Sequence, residues 1–310
     1  MNRLDPLDAL RVLALLVVFA NHVNTGIAGG VGVIMFFTLS GYQIGRGFLS
    51  GRYTAKDYLR KRLLVVGLPY MAFVTIYIIV SGYSDPGEIL QLFTFTLGYT
   101  GSPLWHLWFI SVLMQLYIIA LVFGLAIQRI KDNVLACRLL FIAVLIVGYS
   151  LRTYCIGHGL PQYHYIQGYV DVFFGAFMLS WLRLKPLRSR TLQAIAVIAL
   201  LVCIFTSRQG VFYTIEGTLA ASLLFIYVFD TNVRKGNDKL SWQAVRSNPL
   251  RLIECLSVVS FAFYIWHAPV IHYVYWTLPG ALFVPASFAI SCILAAIWHC
   301  SVEQWAKKTL

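Results

Sequence analysis

Apolar runs long enough to cross a bilayer recur along the whole 310-residue chain, and no polar stretch between them exceeds the loop from Asp230 to Arg251. A spanning helix needs about 20 mainly apolar residues, and a chain that repeats such runs has no room left for a soluble domain. The 59% hydrophobic and 12% charged content and the mean hydropathy of +0.76 agree with that reading. The expectation is an all-α, polytopic membrane protein, one domain over residues 1–310. It has about ten transmembrane helices, near 7–26, 31–49, 64–82, 104–128, 137–155, 165–183, 191–207, 211–229, 253–274 and 281–300, with ends good to about 2–4 residues. The apolar run after Met1 to Pro6 meets no small-residue cleavage site, so it reads as a retained first helix.

Charge orients these helices. Placing both termini in the cytoplasm gathers Arg3, Arg46 to Arg62, Arg129 to Arg138, Arg183 to Arg190, Arg234 to Arg251 and Lys307–Lys308 on the inner side. That is 21 of the 24 Lys and Arg, leaving Arg11 in the first helix and Arg152 and Arg208 outside. The net charge of +12 is thereby explained as topology, without nucleic-acid binding. The six cysteines lack metal spacing, so neither a metal nor a disulfide is expected. The longest outer segment, Gly82 to Pro103, holds an apolar stretch, Ile89 to Leu97, too short to cross and suited to an interfacial or re-entrant piece. No fixed-period repeat and no matching pair of broken helices is present, which counts against transport.

Within the first helix stand Arg11 and His22, eleven residues apart. At about 100° per residue they share one face, separated by about 16 Å along the axis. Ionisable residues in a membrane helix usually face a bundle interior or a wet cavity and mark function; the bland alternative is two side chains snorkelling to opposite surfaces. Asp8, three residues before Arg11, is placed to neutralise it. His106, Asp171, Glu216 and His267 fall at the same outer depth as His22, and a common outward-opening cavity is the economical reading, although each alone suits a hydrogen-bonded structural group. On the inner side Arg60, Lys61 and Arg62 open the third span, either as an anion-binding cluster or as ordinary topology-setting charge.

Several stretches together resemble the membrane acyltransferase-3 family: Asp8-Ala9-Leu10-Arg11 with His22, Phe36-Phe37-Thr38-Leu39-Ser40-Gly41, Tyr58-Leu59-Arg60-Lys61-Arg62, His106-Leu107-Trp108-Phe109-Ile110-Ser111, and Tyr264-Ile265-Trp266-His267-Ala268-Pro269. Ser40, Gly41, Trp108 and Trp266 are the motif residues beside the ionisable ones. Ile34, Val65 and Leu113-Met114 depart from the pattern, which usually carries charged residues there.

The resemblance implies a multi-pass enzyme of the bacterial inner membrane. It would move an acyl group, commonly acetyl, from acetyl-CoA or another acyl-CoA to a hydroxyl of a polysaccharide, glycolipid or lipid-linked glycan. Acyl-CoA is then a donor substrate, no cofactor is bound, and the partners are the bilayer, donor and carbohydrate acceptor. The resemblance makes Arg11 and His22 essential. His22 would be general base, since imidazole titrates near neutral pH, with Asp171 or Glu216 as its orienter and His106 and His267 in support. Arg11 with Arg60, Lys61 and Arg62 would hold the donor. Two other classes compete: a secondary transporter of a sugar or anionic solute, and a non-catalytic subunit of an export or sensing complex.

Overall fold

Asp5 opens the first helix by accepting from the Leu7 N–H at 2.9 Å, and Pro6 fills a first-turn position whose N–H would have had no helical partner. The computed structural model describes residues 5–98, 104–160, 164–184, 189–206, 211–229, 250–278 and 280–309; the expected outer turn 207–210 and most of the basic loop 234–251 lie outside these. The helix α1 runs Pro6–His22 and α2 Gly29–Leu49. The helix α3 (Ala55–Arg62) continues through a π turn, Leu63–Gly67, into α4 (Leu68–Ser81), followed by the short α5 (Pro86–Phe93). A 3₁₀ turn, Trp105–Leu107, leads into α6 (Trp108–Ile127), then α7 (Val134–Gly157), α8 (Val170–Leu179), α9 (Arg190–Thr206) and α10 (Val211–Phe229). Next come α11 (Leu250–Val258), α12 (Ser260–Thr277), α13 (Gly280–Trp298), a second π turn, His299–Glu303, and α14 (Gln304–Lys308). No strand occurs among the described residues.

Four continuous helical segments are long and apolar enough to cross a membrane: Ala55–Ser81, Trp105–Ile130, Val134–Gly157 and Gly280–Ala306. A fifth arises if α11 and α12, which meet at 73°, count as one broken span. The chain is thus an all-α, multi-pass membrane protein. Two expected spans take other forms. The run 165–183 yields only ten helical residues in α8, because Ile166–Gly168 winds as a 3₁₀ turn first. The run 253–274 breaks at Val259, where the Ser260 hydroxyl donates to the Ser257 carbonyl at 2.7 Å. The apolar stretch after Gly82 forms α5, tied down by Tyr70 donating to the Leu92 carbonyl at 3.0 Å and Gln115 to that of Phe95 at 2.7 Å.

The chain divides into two compact units, Met1–Leu39 with Leu184–Ala296, and Ser40–Arg183 with Ile297–Leu310. In the first, α1 packs against α11, α12 and α10, and α9 against α10. Phe19 of α1 meets Phe263 and Phe288 edge-on at 5.7 and 5.3 Å, a geometry that adds to area burial. Gly32 lets α2 start flush on α1, since a Cβ there would strike the Ala14 carbonyl. In the second unit α7 and α8 form a tight pair and α3 lies on α6. The long α7 leaves Leu135, Leu139, Ile142 and Ile146 exposed, as a face toward lipid requires.

Candidate active site

The first turns of α1 carry a closed polar ring. Arg11 Nη1 donates to Asp8 Oδ1 at 2.8 Å, the i,i+3 pairing expected from spacing, and also to Ser257 Oγ on α11 at 2.7 Å. The Ser257 hydroxyl in turn donates to Asp8 Oδ1 at 2.6 Å. Each of the three is thereby held by the other two, while the Arg11 side chain remains 23% exposed. Charge-assisted bonds of this kind fix a guanidinium without closing it off.

Eleven residues on, at the last position of α1, His22 Nδ1 lies 2.8 Å from the Val18 carbonyl. A carbonyl can only accept, so the ring proton sits on Nδ1 and the neutral imidazole keeps its basic lone pair on Nε2. His267 on α12 repeats the device, with Nδ1 2.6 Å from the Tyr264 carbonyl. The two rings meet edge to face, centroids 4.7 Å apart at 89°. Behind them Phe263 stacks parallel to His267 at 6.1 Å. The face of α1 that carries Arg11 and His22 is therefore met by α11 at one end and by α12 at the other.

Of the other expected residues, Asp171, His106 and Trp108 belong to the second unit and Glu216 to the first. Asp171 is 2% exposed and gripped by Arg152, Nη1 to Oδ1 at 2.9 Å and Nη2 to Oδ2 at 2.7 Å, with Nη1 also donating to the Gly168 carbonyl at 2.8 Å. Arg152 thus stands within α7, inside the expected span 137–155, and both oxygens of Asp171, expected as an orienter of His22, are engaged by it. Glu216 sits half-buried on α10 in the unit that holds His22. His106 is buried in the 3₁₀ turn of the other unit, and Trp108, the first residue of α6, is buried beside it in sequence, its ring meeting His164 at 4.7 Å and stacking on Tyr169 at 5.7 Å. Burial holds the His164 imidazole below the ordinary histidine range. Gly41 serves packing, because a Cβ would collide with the Phe173 carbonyl. Its neighbour Ser40 and Trp266, next to His267, are both partly buried.

The basic cluster fans out, as consecutive helical residues must at about 100° apart. Arg60 donates to the Thr309 carbonyl at the surface. Lys61 lies over the Tyr53 ring at 5.9 Å. Arg62 turns inward among Tyr53, Tyr58 and Tyr117, its guanidinium 5.9, 5.6 and 5.2 Å from their ring centroids and Nη2 donating to the Tyr53 hydroxyl at 3.1 Å. Among the described residues no carboxylate stands within 4.0 Å of it, and no group of three or more His, Cys, Asp or Glu side chains could hold a metal ion.

The model of an acyltransferase domain matches residues 5–302, which include α1 and both helices that face it. The chain belongs to the acyltransferase-3 family. It is similar to a protein named as a membrane-bound transacylase, BcsY of Komagataeibacter xylinus, at 24% identity over 302 residues, covering 86% of this chain and 73% of that one. No solved structure matches it. A membrane acyltransferase therefore carries the polar ring and the histidine pair just described.

Proposed function

We propose that the protein is an O-acyltransferase of the bacterial inner membrane, with ten spans and both termini in the cytoplasm. It moves an acetyl group from acetyl-CoA to a hydroxyl of a cell-surface polysaccharide or glycolipid. The observation that carries the catalytic part is the bond between His22 Nδ1 and the Val18 carbonyl, at 2.8 Å. It leaves Nε2 as the nitrogen able to take the acceptor's hydroxyl proton. As that proton moves, the acceptor oxygen attacks the thioester carbonyl. The C–S bond then breaks, the sulfur keeps the electron pair and, once protonated, leaves as coenzyme A thiol. His267 keeps the His22 ring upright by edge-to-face contact, the part first assigned to a carboxylate. Arg11, pinned by Asp8 and Ser257, offers the rest of its guanidinium to the donor's phosphates or to charge developing during transfer.

The family membership supports acyl transfer over solute transport, and the placement of basic residues supports a donor arriving from the cytoplasm. The test is sidedness. Membrane vesicles carrying the protein, prepared inside-out and right-side-out, are fed radiolabelled acetyl-CoA, and label is counted in extracted glycolipid and polysaccharide. Label from inside-out vesicles alone is expected. Label in protein-free controls, or none in either preparation with native glycan present, contradicts the proposal.

A further inference from the structure

The π turn at the end of α13 holds a pair outside every motif discussed above. His299 and Glu303 are 1% and 5% exposed, with His299 Nδ1 2.6 Å from Glu303 Oε2. The second carboxylate oxygen, Oε1, is buried and meets no hydrogen-bond donor among the described residues. An acceptor left bare in an apolar interior is costly, so a donor from another molecule is the natural complement. Arg62 presents the mirror case. Its Nε is buried without an acceptor among the described residues, and its neighbours are the rings of three tyrosines.

These two groups flank one contact. Arg62 immediately precedes the π turn Leu63–Gly67, Glu303 immediately precedes α14, and α14 packs on that π turn while Arg60 donates to the Thr309 carbonyl. π turns are rare and recur at functional positions, since the extra residue re-aims the side chains beside it. Here each π turn adjoins one bare polar atom, one donor and one acceptor. A ligand suited to both must accept hydrogen bonds at one point and give them at another.

We propose that Arg62 and Glu303 together bind the coenzyme A arm of the donor, Arg62 taking a phosphate oxygen and Glu303 Oε1 an amide N–H of the pantetheine chain. His299 is a positioning residue that holds the carboxylate from the other side. This rests on the reading that acyl-CoA is the donor, and it adds a contact to the non-phosphate part of that molecule.

The test measures binding of coenzyme A and of adenosine 3′,5′-bisphosphate, which lacks pantetheine, to the purified full chain in detergent. Glu303→Gln must keep its carbonyl toward His299, so its amide turns a donor toward the ligand's own donor. Its affinity for coenzyme A is expected to fall about tenfold, the scale of one hydrogen bond to a charged group, with bisphosphate binding unchanged. Arg62→Gln weakens both ligands. His299→Gln, which retains a donor to Glu303, restores coenzyme A binding that His299→Leu loses; this pair carries the comparison if Glu303→Gln does not fold. Equal coenzyme A affinity in folded Glu303→Gln and wild type overturns the inference alone. No binding of either ligand to wild type overturns it together with the donor reading.

Discussion

Arg152 and Arg11 both lie within helices of this protein, and they are held in opposite ways. Arg152 of α7 is 1% exposed and bidentate to Asp171, with a backbone carbonyl as third partner. Arg11 of α1 is 23% exposed and uses one nitrogen, Nη1, for both Asp8 and Ser257. In the first arrangement two charges cancel in a buried site, and Gly148 is there because a Cβ would strike Asp171. The second is anchored but open. We therefore propose that Arg11, whose neighbours leave part of its guanidinium unused, is the functional one of the two.

The contrast can be broken by substitution. Asp171→Asn strands a buried guanidinium and should cost about 3–5 kcal/mol. It would be read as lower folded yield and earlier thermal unfolding in detergent, with acyl transfer per folded molecule unchanged. Arg11→Gln removes a partly exposed pair worth about 0–1 kcal/mol, yet should slow transfer about 100-fold, equivalent to about 2.7 kcal/mol. If instead it unfolds the protein as readily as Asp171→Asn does, Arg11 is a structural anchor and the distinction fails. Ser257→Ala sharpens the point, since Asp8 and Arg11 remain joined: a loss near 1 kcal/mol and a rate decrease of severalfold are expected, measured by the same two assays.

What the sequence made legible follows from local geometry. Helical periodicity places Arg11 and His22 on one face, and the i,i+3 spacing supplies Asp8. Ser257, 246 residues from Arg11 along the chain, carries no local signal, and the break at Val259 that aims α11 and α12 at α1 lies inside what reads as one continuous apolar run. His267 stands out in the Trp-His motif, but its 4.7 Å contact with His22 is purely tertiary. Arg152 falls inside the expected span 137–155, but its grip on Asp171, 19 residues further along the chain, is a tertiary contact with no local signal. The His299–Glu303 pair has a visible i,i+4 spacing, but it straddles the point where the last apolar run was taken to stop.

The most direct test of His22 as the base is a side-by-side rate measurement on purified wild type, His22→Ala and Asp171→Asn, with acetyl-CoA and isolated cell-envelope glycan, normalised to folded protein. Loss of a positioned base costs about 10²–10⁴-fold, so His22→Ala should fall by at least 10²-fold while unfolding at the wild-type temperature, and Asp171→Asn should transfer at the wild-type rate per folded molecule. A folded His22→Ala protein that transfers acetyl at the wild-type rate would contradict the assignment outright.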